Sequence, residues 1–152
     1  ARALVLFNRF VQPDVDIETL DTVAHLELSG PIDQRLPLRW IGLLHGRLEL
    51  ELAASGGIAS GSDAVRLLMV GAQVCQVVGA LLRGGPGQLH RMHNELSQWL
   101  EEHDAAGVAE IRGCLSQRRC PDPEAFERAQ YLRALSSYSL PRAAAGAERG
   151  WP

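Results

Sequence analysis

The segment SGGIASGSDA at residues 55–64, together with VVGAL at residues 77–81, decides our prediction of the fold. A largely apolar run from Leu48 to Ala54 precedes the first segment, and a second run from Val74 to Val77 leads into the other. One helix-length segment, Ala64 to Val70, lies between them. This order predicts a strand, a glycine-rich turn and a helix, repeated once, with both turns at the carboxyl ends of neighbouring parallel strands.

The two glycine turns predict an anion site. Glycine lets the main chain approach a ligand closely, and amide N–H groups at the start of a helix attract anions. A (β/α)8 barrel binds phosphate between its last two strands in this way. We therefore predict a phosphate site formed by Gly56, Gly57, Gly79 and Ala80. The alternative is that both turns only reverse the chain after a strand.

The rest of the sequence extends the alternation of strands and helices. The apolar run Ala3 to Phe7 predicts a strand that is buried on both faces. Arg35 to Arg47 has apolar residues near helical spacing, with Pro37 in its first turn. We expect the connection Gln12 to Ser29 to be irregular, apart from one short strand at His25 to Leu28.

The carboxyl-terminal half is predicted to be helical. Gly87 to His103 has apolar residues at intervals of three and four and predicts an amphipathic helix. Val108 to Cys114 predicts a short helix. Asp122-Pro123-Glu124 has the composition of a helix start, and the predicted helix runs to about Tyr138.

The fold class that we predict is α/β, the carboxyl-terminal part of a (β/α)8 TIM barrel with extra helices at its end. Residues 3–104 supply the last three β/α units, residues 105–138 a helical extension, and residues 139–152 a disordered tail. Three units form about three-eighths of such a barrel. We expect the missing units to precede Ala1.

Composition and cysteine spacing narrow the classes of function. The net charge of −3 gives no indication of a nucleic-acid or membrane surface, and no apolar run approaches the roughly 20 residues of a membrane span. Cys75, Cys114 and Cys120 lack metal-ligand spacing, so we expect reduced thiols, no metal and a cytoplasmic location.

Several side chains have a structural interpretation beside a functional one. We expect Trp40 and Trp99 to face the core. His90 and His93 lie three residues apart on a helix, a spacing that can bind metal, but the sequence around them favours a surface pair. Gln76 is predicted to be a core amide or to point into the barrel.

Longer segments resemble a known family. The turn at 55–64, the stretch GAQVCQVVGAL at 71–81 and the helix NELSQWLEEH at 94–103 resemble the carboxyl-terminal part of dihydroorotate dehydrogenases. FNRF at 7–10 and the segment at 116–129 resemble the subgroup of dihydroorotate dehydrogenase-like proteins. The resemblance extends over about residues 3–138.

This resemblance implies a flavoprotein that binds FMN at the top of the barrel. It assigns the FMN phosphate to the amides of Gly56-Gly57 and Gly79-Ala80, and it places Ser29-Gly30 along the flavin. Two positions depart from the family pattern, because Ala80 replaces a threonine and Ser29 replaces a glycine.

The resemblance also implies that Asn8 hydrogen-bonds a pyrimidine substrate. The alternative is a strand-end asparagine that caps a turn. Its neighbour Arg9 replaces the usual serine or threonine. Arg9 has two interpretations, a bidentate ligand for a carboxylate or a solvated surface residue.

The implied activity is the oxidation of dihydroorotate to orotate in pyrimidine biosynthesis. In the family a base removes a proton from C5, and hydride passes from C6 to flavin N5. That base lies in an earlier part of the barrel, so we expect no catalytic residue in this chain. The alternatives are a flavoenzyme of the dihydropyrimidine dehydrogenase type and a non-catalytic truncated barrel that acts as a binding module. The implied partners are a pyrimidine substrate and either a second copy or an electron-transfer subunit.

Overall fold

Three parallel strands with connecting helices form the centre of the computed structural model, which describes residues 1–8 and 12–123. In chain order the strands and helices are β1 (Ala3–Leu6), β2 (Gln12–Asp16), β3 (Asp21–His25), a 3-10 turn (Pro31–Gln34), α1 (Arg35–Leu44), β4 (Glu51–Ser55), α2 (Gly61–Val70), β5 (Val74–Gln76), α3 (Gly79–Gly84), α4 (Gly87–Glu102), α5 (Val108–Ile111) and a second 3-10 turn (Gln117–Arg119).

The central sheet has the strand order β1-β4-β5, and both pairings are parallel. Ala3 lies opposite Glu51, and Ala53 lies opposite Val74. Successive strands are therefore added in one direction, as in the wall of a β/α barrel. The predicted alternation is confirmed, although the strand predicted to start at Leu48 begins at Glu51, because residues 45–50 form a turn with a bridge between His45 and Leu48.

The two faces of this sheet differ in burial. Leu6, Leu52 and Ala54 are buried in a core with residues of the helices, including Ile41 and Leu67. On the opposite face, Val5 is 49% exposed and Val74 is 52% exposed. Our prediction that Ala3 to Phe7 is buried on both faces is therefore wrong. Within the described residues only one face of the sheet is covered by helices.

Helix α2 begins at a capping box. The Ser60 hydroxyl accepts a hydrogen bond from the Asp63 amide at 3.2 Å, and the Asp63 carboxylate accepts one from the Ser60 amide at 3.0 Å. The same carboxylate oxygen accepts the Ala59 amide at 3.1 Å. Gly71 ends the helix with φ +121°, a backbone conformation that favours glycine. The box satisfies amides that would otherwise lack a partner at the start of the helix.

Helix α4 packs on α2 through part of its predicted apolar stripe. Met92 is buried in the main core, and Leu96, Trp99 and Leu100 pack beside the small cluster formed by Val65, Leu68 and Ile111. The core position predicted for Trp99 is confirmed, and its ring stacks on His103. Leu89, at the start of the stripe, is instead 54% exposed.

The connection after β1 contains a hairpin that the sequence analysis missed. Strands β2 and β3 pair antiparallel, with Gln12 opposite His25 and Asp16 opposite Asp21. The turn between them contains neither glycine nor proline. The Asp16 carboxylate forms it by accepting the amides of Glu18 and Thr19. The strand predicted at His25 to Leu28 is wrong, because residues 26–28 lie outside the hairpin.

Residues after α4 contain less helix than predicted. The helix predicted at Val108 to Cys114 ends at Ile111, and the amides of Gly113 and Leu115 then donate to carbonyl groups near the end of α2. The helix predicted to run from Asp122 to Tyr138 and the tail at 139–152 lie almost entirely outside the described residues. None of the helices in the described part of the chain has the length and apolar character that a membrane crossing requires.

Candidate functional site

A cavity of about 320 Å³ lies at the carboxyl ends of the three parallel strands. It is formed by residues that follow β1, β4 and β5, and by the segment after the β2–β3 hairpin. The predicted site residues that line it are Asn8, Ser29, Gly56, Gly57, Gly79 and Ala80. The structure therefore brings together residues from four separate segments, among them the two glycine turns, which the alternation of strands and helices predicted to lie side by side.

Gly57 is fixed to the segment at 29–34 through both of its backbone groups. Its amide donates to the Ser29 hydroxyl at 3.0 Å, and its carbonyl accepts a hydrogen bond from the Gln34 side chain at 2.8 Å. Its φ is +71°, and an added Cβ would overlap the carbonyl oxygen of Gly30. This position therefore requires glycine for both conformation and space.

Other amides at the cavity have no such partner. Those of Gly56, Gly79 and Ala80 make no hydrogen bond with any other residue in the described ranges. A Cβ built on Gly56 has no neighbour within 4 Å, and one built on Gly79 meets nothing closer than the Ser29 hydroxyl at 3.7 Å. The two glycine turns thus combine amides that have no partner among the described residues with open space at Gly56 and Gly79, which suits an anion.

Gly30 is held by hydrogen bonds with Asp33, and its place along the flavin stays a prediction. Its amide donates to the Asp33 carboxylate at 2.7 Å, and its carbonyl accepts the Asp33 amide at 3.0 Å. Its φ of −118° is accessible to any residue. Gly30 is not among the residues that line the cavity. Its carbonyl oxygen packs against Gly57 and leaves no space for a side chain at that position.

Arg83 is a residue beside the cavity that the sequence analysis did not single out. Its guanidinium donates to the carbonyl of Ser29 at 3.1 Å and to that of Leu28 at 2.9 Å. It lies in the last turn of α3, one helical turn after Gly79. The sequence gives little indication of this role. A cation after a Gly-Ala turn has many possible partners, and the residues that Arg83 contacts lie more than 50 residues away in sequence.

Asn8 directly follows the Phe7 that ends the apolar run, and its side chain is exposed. It lines the glycine cavity and also a second, apolar cavity of about 570 Å³. Gln76 lines the first of these cavities too, and it is exposed rather than a satisfied core amide. Arg9 lies outside the described residues.

The second cavity is lined mainly by apolar side chains of β1 and α1. Trp40 is one of them and is 43% exposed, so the prediction that it faces the core is wrong. Leu36 in the same wall is 54% exposed. Helical spacing placed both residues on the apolar face of α1, but only Pro37, Ile41 and Gly42 of that helix are buried.

Asp63 and Gln34 belong to a hydrogen-bonded network that holds the Gly57 turn. Burial acts to raise the pKa of the Asp63 carboxyl, but hydrogen bonds from Ala59, Ser60 and Gln34 outweigh it, and the net pKa lies below the usual value. Gln34 is buried and also holds the carbonyl of Gly57. A buried polar network in which every member is bonded rigidifies the backbone that it supports.

Other candidate groups lie away from the cavity. Burial raises the pKa of the Cys75 thiol to about 11, and its Sγ contacts the carbonyl of Ala64 on the helix side of the sheet. His90 and His93 are exposed on α4. In the described ranges no three His, Cys, Asp or Glu side chains are grouped so that they could bind a metal ion.

A parallel sheet built in consecutive order, with helices on one face and a glycine-lined cavity at its carboxyl end, defines part of a β/α barrel. The family model described as dihydroorotate dehydrogenase matches residues 2–100. The chain belongs to this family.

Curated relatives support the same conclusion. The catalytic subunit of dihydroorotate dehydrogenase B (NAD(+)) from Pelobacter propionicus is 30% identical over 118 residues, which cover 76% of this chain and 38% of the relative. Dihydroorotate dehydrogenase (quinone) from Rhodospirillum rubrum is 36% identical over 136 residues, covering 68% of this chain and 37% of the relative. The chain therefore spans less than two-fifths of the length of these relatives.

A solved structure supports the fold. Ligand-free DHODH from Eimeria tenella matches with a TM-score of 0.58 at 21% identity, over 74% of this chain and 32% of that chain. The predicted family and its α/β units are thus confirmed. The assignment of these units to the carboxyl-terminal part of the barrel stays a prediction.

Proposed function

We propose that this chain forms the carboxyl-terminal β/α units of an FMN-dependent oxidoreductase that converts dihydroorotate to orotate. The observation that carries the proposal is the glycine cavity. Residues from four segments meet there, and the amides of Gly56, Gly79 and Ala80 have no partner among the described residues. The Cβ positions of Gly56 and Gly79 border open space. Membership of the dihydroorotate dehydrogenase family supplies the reaction.

The residues at the cavity fit the phosphate of FMN. Main-chain amides are suitable donors for phosphate oxygens, and the absence of side chains at Gly56 and Gly79 leaves room for them. Bound FMN supplies a hydride acceptor, which the side chains of this chain lack. The role of the chain is to bind and orient the phosphate end of the cofactor.

Asn8 is the proposed substrate residue. Its carboxamide carries both donors and acceptors, which match the N–H and C=O groups of a pyrimidine ring. It lines the same cavity as the glycine turns, so a substrate bound by Asn8 would lie beside the cofactor. An amide of this kind orients a substrate but does not remove a proton.

The catalytic base is proposed to lie outside these residues. Cys75 faces Ala64 on the helix side of the sheet, with its thiol pKa raised to about 11. A thiol in that position can neither reach the cavity nor ionise readily. The chain alone is therefore expected to bind ligands without turning over substrate.

The proposed partners are an electron-transfer subunit or a second copy of the chain. Several relatives are named as the catalytic subunit of dihydroorotate dehydrogenase B, which supports the first of these. A second candidate function, a non-catalytic binding module, is favoured by the sheet face on which Val5 and Val74 are exposed. A dihydropyrimidine dehydrogenase-type substrate is a further alternative.

The experiment that tests the proposal uses ligand-dependent changes in the flavin spectrum. FMN is added to the purified chain, followed by orotate or by uracil. We expect orotate to shift the visible absorbance of bound FMN, uracil to have little effect, and N8A to lose the orotate response while still binding FMN. A chain that leaves FMN unbound would contradict the flavin assignment. A stronger response to uracil would favour the alternative substrate.

A further inference from the structure

Two side chains connect the segments that surround the glycine cavity. Ser29 reaches the Gly57 turn through its hydroxyl, and Arg83 reaches the carbonyls of Leu28 and Ser29 from helix α3. The loop before α1, the turn after β4 and the helix after β5 are thereby linked. The sequence separations of 28, 54 and 55 residues mean that these links exist only in the folded protein.

The Ser29 hydroxyl lies between the two glycine turns. It accepts the amide of Gly57 at 3.0 Å and is 3.7 Å from the position of a Cβ on Gly79. A hydroxyl has one donor proton besides its two acceptor sites. Since the oxygen is used here as an acceptor, its proton remains available to a ligand in the cavity that Ser29 lines.

The same bond changes the role of Gly57. Its amide is engaged by Ser29 and is directed at the hydroxyl oxygen rather than at the cavity. A chain of two hydrogen bonds, from an amide to a hydroxyl and from that hydroxyl to an anion, polarises each member and strengthens the outer bond. The amide of Gly57 therefore acts on an anion through Ser29.

Arg83 fixes the position of this hydroxyl. Its two terminal nitrogens donate to successive carbonyls, a bidentate contact that defines both the position and the orientation of the loop. Nη1 is also 3.9 Å from the Cβ position of Gly79. Because Arg83 is exposed, solvent screens its charge, and its main effect is geometric.

We propose that Ser29 is a phosphate ligand in this chain, substituting its hydroxyl for the Gly57 amide, and that Arg83 is the residue that positions it. The inference rests on the proposed function for the identity of the ligand, the phosphate monoester of FMN. It assigns selectivity for FMN over riboflavin to this pair of side chains.

The test compares FMN with riboflavin, which lacks the phosphate. Flavin fluorescence is titrated with wild-type chain, S29A, S29T, R83Q and R83K. We expect S29A and R83Q to weaken FMN binding by about tenfold, the scale of a hydrogen bond to a charged group, with riboflavin binding unchanged. S29T keeps the hydroxyl and should retain most of the FMN affinity. R83K loses the bidentate contact and should give an intermediate value.

Matched controls are S62A and R39Q, which alter exposed residues on α2 and α1 away from the cavity. Circular dichroism verifies that each variant is folded, and S29T and R83K keep the test valid if S29A or R83Q does not fold. Equal losses of FMN and riboflavin binding would overturn the inference, because a purely structural link would produce them. So would unchanged FMN binding in S29A.

Inorganic phosphate separates this inference from the proposed function. Its binding is followed by the ³¹P NMR linewidth with wild-type chain and S29A. If wild-type chain binds phosphate but not FMN, and S29A loses the phosphate, the flavin proposal fails and the phosphate ligand stands. If wild-type chain binds FMN and S29A binds FMN and phosphate equally well, only the inference fails. Binding of neither probe overturns both.

Discussion

Gly57 illustrates how much of a predicted site residue's surroundings its position in the sequence leaves open. Its position in a glycine pair after a strand predicted an amide aimed at phosphate. The structure instead uses its positive φ to bring the turn against the carbonyl of Gly30, while its amide bonds to Ser29. Sequence patterns locate such a glycine because the conformation is encoded locally. They do not reveal which distant hydroxyl receives its N–H.

The first prediction at this scale concerns the stability of the glycine turn. G57A should destabilise the chain by about 2 kcal/mol or more, because a Cβ meets both a strained φ and the carbonyl of Gly30. G56A is the matched control. Its φ of +101° is also strained, but no atom lies within 4 Å of its Cβ. Urea unfolding measures the free energy of unfolding of both variants. Equal losses of stability in G57A and G56A would contradict the close packing described at Gly57.

The second prediction concerns the reactivity of Cys75. With its thiol pKa raised to about 11, Cys75 should react with iodoacetamide far more slowly at pH 8 than the unfolded chain does, and its rate should still be rising with pH above 10. Mass spectrometry of tryptic peptides after timed alkylation measures the rate at each cysteine. Fast labelling of Cys75 in the folded chain at pH 8 would show that its burial is less than described.

At the scale of elements, local signals account for most of what the sequence predicted. The alternation of apolar runs and glycine turns is encoded within a few residues and is confirmed. The capping box at Ser60 and Asp63 is equally local in sequence. The β2–β3 hairpin was missed because an aspartate rather than glycine or proline forms its turn. The role of Arg83 was missed because its contacts join segments that only the fold brings together.

The third prediction concerns the start of helix α2 and its dependence on pH. The folded pKa of Asp63 lies below the usual value, so its stabilisation is fully present above the unfolded pKa of about 3.9 and is lost as the pH falls through the folded pKa. D63N should therefore lower the free energy of unfolding by about 1 kcal/mol at pH 7, and by progressively less as the pH falls below about 4.

Urea unfolding of wild-type chain and D63N from pH 7 to pH 2.5 measures this difference. E101Q, at an exposed position in the last turn of α4, is the control and should change stability by less than about 0.5 kcal/mol throughout. A D63N deficit that stays constant across the range would contradict the titration of Asp63 as its cause.

At the scale of the whole molecule, the two faces of the central sheet have different surroundings. One face packs on helices around Leu52 and Ile41, and the other exposes Val5 and Val74. Exposed apolar strands are prone to associate with other chains. The continuous apolar run Ala3 to Phe7 predicted burial on both faces of that strand. Such a run does not show which of the two faces is covered by residues of the chain itself.

The fourth prediction follows from this asymmetry. V5T and V74T should leave the free energy of unfolding within about 0.5 kcal/mol of wild type while reducing association, because both side chains are half exposed. L52A, on the covered face, should cost about 2–5 kcal/mol. Light scattering measures the association of chains, and urea unfolding measures the free energy of unfolding. A large loss of stability in V5T would indicate that the face is covered in solution.

We have proposed that the cavity between the glycine turns binds the phosphate of FMN. The most direct measurement is calorimetric titration of FMN into wild-type chain and into G79A, whose added methyl group fits without steric overlap and should leave the fold intact. We expect one FMN per wild-type chain and at least tenfold weaker binding by G79A. Equal affinity of the two proteins, or no heat of binding from wild type, would contradict it.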